Sequence, residues 1–100
     1  MIVKWSDEAL ENLWTIEKFI GRDNPEKSER FVNCSIEKGE AIAQNPHMGR
    51  MVPEISNPEI RELIVKKYRI VYRVQDEEIV IVTVFEGHKL LRIYELEIDL

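Results

Sequence analysis

The sequence predicts an α+β domain in which a helical hairpin packs on one face of a small, mostly antiparallel sheet. Three observations lead to this prediction. Apolar residues recur at helical spacing in two segments of the N-terminal half, and they follow strand patterns in the C-terminal half. A short apolar stretch precedes the first helix, which gives the order β-α-α-β-β-β. A chain of 100 residues leaves room for a single domain, residues 1–100, with one layer of helices.

The first strand and the first helix are indicated by residues 2–20. IVKW alternates, with Val3 and Trp5 on one side, and this predicts a short strand. Ser6 follows as an N-cap, because its hydroxyl can accept a hydrogen bond from a backbone N–H at the start of a helix. The helix is expected to end at Gly21 with a glycine C-cap. Its apolar residues recur at spacings of three and four: Ala9, Leu13, Ile16 and Ile20.

The second helix is predicted to begin at Asn24-Pro25, with Asn24 as the N-cap and Pro25 at the first helical position. Asn45-Pro46 is expected to end it. The short gap after the first helix favours an antiparallel hairpin. Small and apolar residues form the predicted inward face and suggest a close approach to the first helix: Ser28, Val32, Ser35, Ile36, Gly39, Ile42 and Ala43.

The remaining strands follow a loop. Residues 46–59 contain three prolines and one glycine, which predicts a connection that crosses from the helices to the sheet. Three strands are predicted after it, at about residues 60–66, 68–75 and 79–86. The last of them begins with IVIVTVF, and a strand that is apolar on both faces is usually central in its sheet.

The middle strand carries an unusual basic pattern, KKYRIVYRV, over residues 66–74. Four residues on one side are expected to pack under the helices: Tyr68, Ile70, Tyr72 and Val74. Arg69 and Arg73 then point to the opposite face, which we expect to be open. Residues 61–73 carry five basic residues against one acidic residue, Glu62, in a chain of net charge -5. The sequence therefore predicts a bipolar molecule whose basic patch attracts phosphates or an acidic protein surface.

The composition argues against membrane, secreted and metal-binding classes. There is no apolar run of about eighteen residues and no signal-peptide pattern, so we expect a cytoplasmic protein without membrane association. Cys34 is the only cysteine, which excludes an internal disulfide. His47 and His88 lie too far apart for a local metal-ligand motif, and the sequence has no phosphate-binding or dinucleotide glycine motif. Neither a metal nor a cofactor is expected.

The last seven residues, 94–100, read YELEIDL, in which apolar or aromatic residues alternate with acidic ones. Tyr94 begins the apolar set. Such alternation is typical of an edge strand or of a strand that pairs with a partner, which allows a homodimer.

Four segments, in this order, resemble the RelE/ParE toxin superfamily of type II toxin–antitoxin systems, which includes plasmid stabilisation proteins. They are WSDEALENLWTIEKFI, NPHMGRMVPE, IRELIVKKYRIVYRV and IVIVTVFEGHKLLR. Each is short, but the resemblance extends along nearly the whole chain, from residue 5 to residue 92. GRMVPE followed by IREL is more similar to ParE-like members, and the acidic net charge differs from the strongly basic RelE-like toxins.

The resemblance implies a toxin with a cognate antitoxin, expected to be encoded beside it. ParE-like members inhibit DNA gyrase, whereas RelE-like members cut mRNA at the ribosome. We therefore predict a ParE-like toxin that acts by binding. A ribosome-dependent mRNA endonuclease is the first alternative, and a non-toxic relative that serves as an interaction domain is the second. An acidic antitoxin segment is expected to meet Arg69, Arg73 and Lys89.

The resemblance also assigns candidate residues. In a nuclease, cations would stabilise the phosphorane-like transition state, and an acid would protonate the leaving oxygen. Arg69 matches a strand arginine of RelE-like nucleases, Lys89 stands where they carry a second arginine, and Tyr94 lies near a catalytic tyrosine. Binding is expected to involve Arg61, Lys66, Lys67, Arg73, His88 and Arg92. EGHK at 86–89 departs from the His-Gly-x-Arg of many ParE-like members, which favours a protein partner over RNA.

Two of the arginines also have a structural interpretation. Arg50 follows a glycine in the loop, and Arg61 begins a strand. We expect both to pair with carboxylates such as Glu54 or Glu59. Glu62 alternates to the side opposite Arg61 and is a poor partner for it.

Overall fold

A computed structural model describes residues 1–87 and confirms the predicted fold class. The elements are β1 (Ile2–Trp5), α1 (Asp7–Gly21), α2 (Pro25–Ala41), β2 (Arg50–Met51), β3 (Ile60–Val65), β4 (Tyr68–Val74) and β5 (Glu78–Glu86). The strand order is β1-β5-β4-β3-β2, with β1 parallel to β5 and all other pairs antiparallel. β5 lies inside the sheet, as its apolar composition predicts. β2 was not predicted.

The helix α1 begins as predicted but ends for a different reason. The Ala9 N–H donates to Ser6 Oγ at 3.0 Å, which caps the N-terminus. Gly21 is the last helical residue, but no glycine in residues 1–87 has a positive φ, and Arg22 at the C-cap is right-handed. The glycine matters for packing instead, since a Cβ there would lie 3.3 Å from Ser28 Oγ of α2.

The helix α2 is capped by Asn24, whose side chain accepts from the Lys27 N–H at 3.1 Å. Its predicted inward face is wrong in one position, because Ile36 is 40% exposed. Phe31, which the prediction omitted, is buried and its ring centroid lies 5.0 Å from that of Tyr68. The aromatic pair joins the start of α2 to the sheet.

Gly39 of α2 allows a close approach to the sheet. A Cβ at this position would lie 2.9 Å from the Trp5 ring and 3.1 Å from Ile81 Cδ1. The small residue therefore admits β1 and β5 beneath α2, whereas the sequence pattern suggested an approach to α1.

The main core lies between the helices and the sheet. The four alternating residues of β4 all belong to it, as predicted: Tyr68, Ile70, Tyr72 and Val74. They pack with apolar residues of both helices and of β5. Full burial of such a side chain contributes about 1.5–3 kcal/mol, so this face fixes the orientation of β4.

The N-terminal half of α1 completes the β5 ladder where β1 stops. The Ser6 N–H donates to Ile81 O at 2.9 Å, and Asn12 Oδ1 accepts from the Val84 N–H at 3.0 Å. The register between β4 and β5 shifts after Val71, which is the sign of a β-bulge. The backbone of Ser6, before α1, and the side chain of Asn12 in α1 thus satisfy β5 backbone groups beyond the end of β1.

The sheet face away from the helices is covered, contrary to the prediction that it is open. The loop formed by residues 52–59 folds over it. Val52, Ile60 and Val71 are buried there as a second apolar cluster, and Phe85 packs against them. This loop decides the environment of the β4 arginines.

Candidate functional site

Arg69 lies on the covered face of the sheet, and its side chain is only 5% exposed. Its Nη1 and Nη2 each donate to a carboxylate oxygen of Glu54, both at 2.8 Å. Its Nε lies 2.7 Å from Glu62 Oε1, and Nη2 lies 2.6 Å from the same oxygen. All three guanidinium nitrogens are therefore engaged, and the pair with Glu54 is bidentate.

Glu62 is the centre of this cluster. Its side chain is fully buried, and it stands opposite Arg50 in the β2–β3 pairing. Arg50 Nε donates to Glu62 Oε2 at 2.6 Å. The two carboxylates and two guanidiniums balance in charge, and in residues 1–87 no buried side-chain nitrogen or oxygen lacks a hydrogen-bond partner. Arg69 and Glu62 are the buried members of the cluster, and complete pairing of their charges avoids a large desolvation cost.

The surroundings of Arg69 keep it charged and fixed. Hydrogen bonds to Glu54 raise the pKa of Arg69 above its usual value, and burial, which lowers the pKa, opposes them only in part. Its guanidinium carbon lies 5.0 Å from the centroid of the Phe85 ring, a cation–π distance. A Cβ at Gly87 would lie 3.5 Å from Arg69 Cγ, so the end of β5 packs against the arginine stem.

The expected basic stripe of β4 is therefore wrong. Arg69 pairs with Glu54 and Glu62 beneath the loop. The alternation of residues along a strand predicts the face on which a side chain lies, but it does not predict which segment covers that face. Arg73 is half-buried at the other end of β4. It lines a shallow pocket whose other charged residues are acidic: Glu59, Asp76, Glu77 and Glu78. An acidic antitoxin segment would meet unfavourable charge at that pocket.

Arg50 and Arg61 both make structural contacts, but their partners differ from the predicted carboxylates of Glu54 and Glu59. Arg50 pairs with Glu62. Arg61 donates to backbone carbonyls, at 2.9 Å to Pro58 and 2.9 Å to Gly49. It thereby ties the two ends of the connecting loop to β3.

Tyr72 anchors the start of the same loop, a role that the sequence reasoning missed. Its hydroxyl donates to Pro46 O at 2.7 Å and accepts from the Gly49 N–H at 3.0 Å. Burial raises the pKa of Tyr72 above its usual value. Gly49 has no room for a side chain, since a Cβ would lie 2.6 Å from Glu62 O and 2.8 Å from the Tyr72 hydroxyl. Two signals in the sequence could have indicated this anchor. One is a core tyrosine, whose hydroxyl needs a hydrogen-bond partner when buried, and the other is the glycine that precedes Arg50 in the loop.

Lys66 and Lys67 form the turn between β3 and β4, and both are exposed. Lys67 Nζ lies 3.7 Å from Glu86 Oε1 and 5.8 Å from the Tyr68 ring centroid. Lys66 has a φ of 56°, in the left-handed region that suits glycine. These lysines, unlike Arg69, present their charge at the surface.

The structure brings together only part of the predicted site. Lys66, Lys67 and Arg69 lie at one end of β4, and Arg73 lies at the other. His88, Lys89, Arg92 and Tyr94 lie outside the described residues, as does the 94–100 segment. Residues 1–87 contain no group of three or more histidine, cysteine, aspartate or glutamate side chains able to hold a metal ion.

Comparisons with known proteins agree with this fold. Among curated protein sequences, none matches the chain significantly. A similar solved structure is described as the chromosomal ParDE TA system from P. aeruginosa. It has a TM-score of 0.70 and 25% identity, and the match covers 86% of this chain and 95% of that one. In residues 1–87, no helix is long and apolar enough to cross a membrane. The family model for the ParE toxin of the type II toxin–antitoxin system parDE matches residues 3–91, so the chain belongs to this family.

Proposed function

We propose that this chain inhibits growth by binding a cellular target such as DNA gyrase, and that a cognate antitoxin neutralises it. The observation that supports binding over catalysis is the engagement of Arg69. A nuclease arginine must reach a scissile phosphate, whereas this guanidinium makes short contacts to Glu54 and Glu62 and is 5% exposed. Exchanging the ion pairs of Arg69 with Glu54 and Glu62 for a phosphate would require the loop of residues 52–59 to leave the sheet.

The antitoxin proposal is supported by family membership and by the solved relative, which is described as a ParDE TA system. The exposed apolar and basic surfaces of the chain suit a partner segment that is apolar and acidic. Lys66 and Lys67 are the described residues best placed to meet such a segment, because their charges are at the surface. His88 and Arg92 remain further candidates.

The test of the target uses the purified chain and two assays. In a gyrase supercoiling assay, we expect the chain to inhibit the enzyme and the product of the neighbouring gene to reverse the inhibition. In cells that express the chain, mapping of transcript 5′ ends should show no new cuts within codons. A chain with Lys66→Glu and Lys67→Glu, in which the exposed basic surface proposed for binding is reversed in charge, is expected to inhibit less.

Each alternative gives a different result. Cuts within translated codons, with gyrase unaffected, would establish the mRNA endonuclease that the sequence resemblance also allows. Unimpaired growth on strong expression without the antitoxin would establish a non-toxic interaction domain. Either result contradicts the proposal.

A further inference from the structure

An apolar groove lies between the end of α1, the start of α2 and the β3–β4 turn. It has a volume of about 560 Å³, within the ~300–1,000 Å³ of typical ligand sites. Phe19 lines the groove and is 54% exposed, an uncommon state for a large aromatic side chain. A groove of this kind favours an occupant with apolar side chains. The other apolar or aromatic side chains that line it are Ile20, Phe31 and Tyr68.

The rim of the groove is basic. Lys27 and Arg30 line it from α2, and Lys66 and Lys67 line it from the turn. Among the described residues that line the groove, Asp23 is the single acidic one. A rim of this charge attracts and orients a partner surface of the opposite charge. The occupant is therefore expected to be acidic as well as apolar.

The conformation of Lys66 also points to binding at this rim. Its φ is 56°, and a left-handed conformation costs a residue with a Cβ roughly 1–2 kcal/mol. Glycine would avoid this cost, yet the chain places a charged side chain here. Residues held in such conformations are found mainly at functional sites. We therefore expect the Lys66 side chain to serve binding rather than the stability of the turn.

The surface continues beyond Phe19 along α1. A second hollow of about 320 Å³ shares Phe19, Lys67 and Tyr68 with the groove, and Asn12 and Thr15 line it from α1. Asn12, Thr15 and Phe19 are spaced by three and four residues, so they lie on one face of the helix and span about 10 Å. The groove and the hollow together are therefore long enough to contact about two turns of a partner helix or more.

The place of the groove in the fold favours a helical occupant over an extended one. The sheet has β1 and β2 at its two edges, and β4, which borders the groove, lies between β3 and β5. In residues 1–87, a peptide at the groove thus meets helix ends and a hairpin turn, with no strand edge that could pair its backbone. A helix pairs its own backbone groups internally, so it can bind through side chains alone.

We propose that the groove binds an acidic amphipathic helix of a partner protein. Its apolar side chains, at helical spacing on one face, cover Phe19 and the floor of the groove. Its acidic side chains face Lys27, Arg30 and Lys66. This inference rests on the proposal that the chain acts by binding, and it names the surface and the kind of segment involved. It does not depend on gyrase as the target.

Peptide selection against the purified full chain tests the proposal. A displayed library of random peptides of about sixteen residues, enough for about four helical turns, is selected for binding to the wild-type chain. Fluorescence anisotropy then gives the affinity of each selected peptide. We expect sequences with apolar residues at helical spacing and a net negative charge. Selected peptides that are neutral or basic, or a selection without binders, would overturn the proposal.

Two matched pairs of variants locate the bound peptide. Phe19→Ala should weaken binding about tenfold, whereas Trp14→Ala, which removes a similarly exposed aromatic side chain of α1 outside the groove, should leave it unchanged. Lys66→Glu should weaken binding about threefold. Lys18→Glu, at an exposed lysine outside the groove, should have little effect in ~0.15 M salt. Because all four side chains are exposed, the fold is not at risk. Equal effects within either pair would overturn the assignment.

A proline at the centre of a selected peptide tests the helical conformation. Proline interrupts a helix, so this change should weaken binding roughly a hundredfold. The control places alanine at the same position and should keep the affinity, because alanine favours a helix. An affinity that survives the proline would show an extended peptide and overturn the proposal.

Other occupants of the groove give different results. A single-stranded oligonucleotide that competes with the selected peptide would assign the groove to a nucleic acid. A dimer of the chain that Phe19→Ala dissociates would assign it to a second copy. Either result overturns the proposal. A chain that binds the peptides as predicted but does not inhibit gyrase supports the groove and contradicts only the gyrase target.

Discussion

Arg69 and Glu62 form an ion pair of 2.6 Å between Nη2 and Oε1, and both side chains are almost wholly buried. Glu62 also accepts from Arg50, and Arg69 also holds Glu54 of the covering loop. The pair thus connects β2, β3, β4 and the loop in one network. Removing one partner of such a network leaves an uncompensated buried charge, whereas removing all of them does not.

Glu62→Gln should therefore lower the free energy of unfolding by about 3 kcal/mol, close to the 3–5 kcal/mol typical of breaking a buried pair. Urea unfolding followed by circular dichroism measures it. Glu59→Gln is the matched control, because Glu59 Oε1 lies 3.3 Å from His47 Nε2 and its side chain is 52% exposed. The control should cost less than about 1 kcal/mol. Similar losses for both variants would contradict the buried network.

Tyr72→Phe should lower the free energy of unfolding by about 1–3 kcal/mol, because the part-buried Pro46 carbonyl and the buried Gly49 N–H both lose their partner. Tyr68→Phe is the control in the same strand and should change stability by less than about 0.5 kcal/mol. Urea unfolding of both variants at neutral pH gives the comparison. Equal effects would show that the Tyr72 hydroxyl does not anchor the loop.

The same hydroxyl predicts a pH effect. Because burial raises the pKa of Tyr72 in the folded state, the unfolded chain loses this proton first, near pH 10. The stabilisation is complete below that pH and is lost as the pH rises towards the folded-state value. Wild type should therefore lose more stability between pH 9 and pH 11 than Tyr72→Phe does. Equal losses of stability in wild type and Tyr72→Phe over this pH range would contradict the prediction.

Lys66→Gly should raise the free energy of unfolding by up to about 1 kcal/mol, because glycine adopts a positive φ without the cost that a Cβ brings. Lys67→Gly, at the neighbouring turn position without a positive φ, should be neutral or destabilising. Thermal or urea unfolding distinguishes the two. A loss at Lys66→Gly would mean that its side chain stabilises the turn.

The sequence predicts the elements well because their signals are local. The caps at Ser6 and Asn24 and the alternation in β4 depend on residues within a few positions of each other. β2 was missed because two residues, Arg50–Met51, carry no periodicity and pair only through β3. Phe31 was missed because its partner Tyr68 is distant in sequence.

The candidate site was less predictable for a physical reason. Alternation correctly places Arg69 opposite the helices, but nothing local shows that residues 52–59 return to cover it. Its partners Glu54 and Glu62 are separated from it by 15 and 7 residues. The proline-rich loop was therefore expected only to connect the helices to the sheet. Its glutamates were expected to pair with Arg50 or Arg61. Ion pairs between residues that are distant in sequence leave no periodic pattern from which they could be predicted.

The most direct test of the account is growth arrest by a variant in which Arg69 and its two carboxylate partners lose their charge: Glu54→Gln, Glu62→Met and Arg69→Met. Arg50 is kept, because its side chain is 61% exposed. Replacing all the buried charges together is often tolerated, and urea unfolding with circular dichroism verifies the fold. At matched levels of soluble protein, without antitoxin, we predict growth arrest equal to that of the wild-type chain within about twofold, because binding surfaces at Lys66 and Lys67 are unchanged. A folded variant that no longer arrests growth would contradict the account and assign Arg69 to the activity itself.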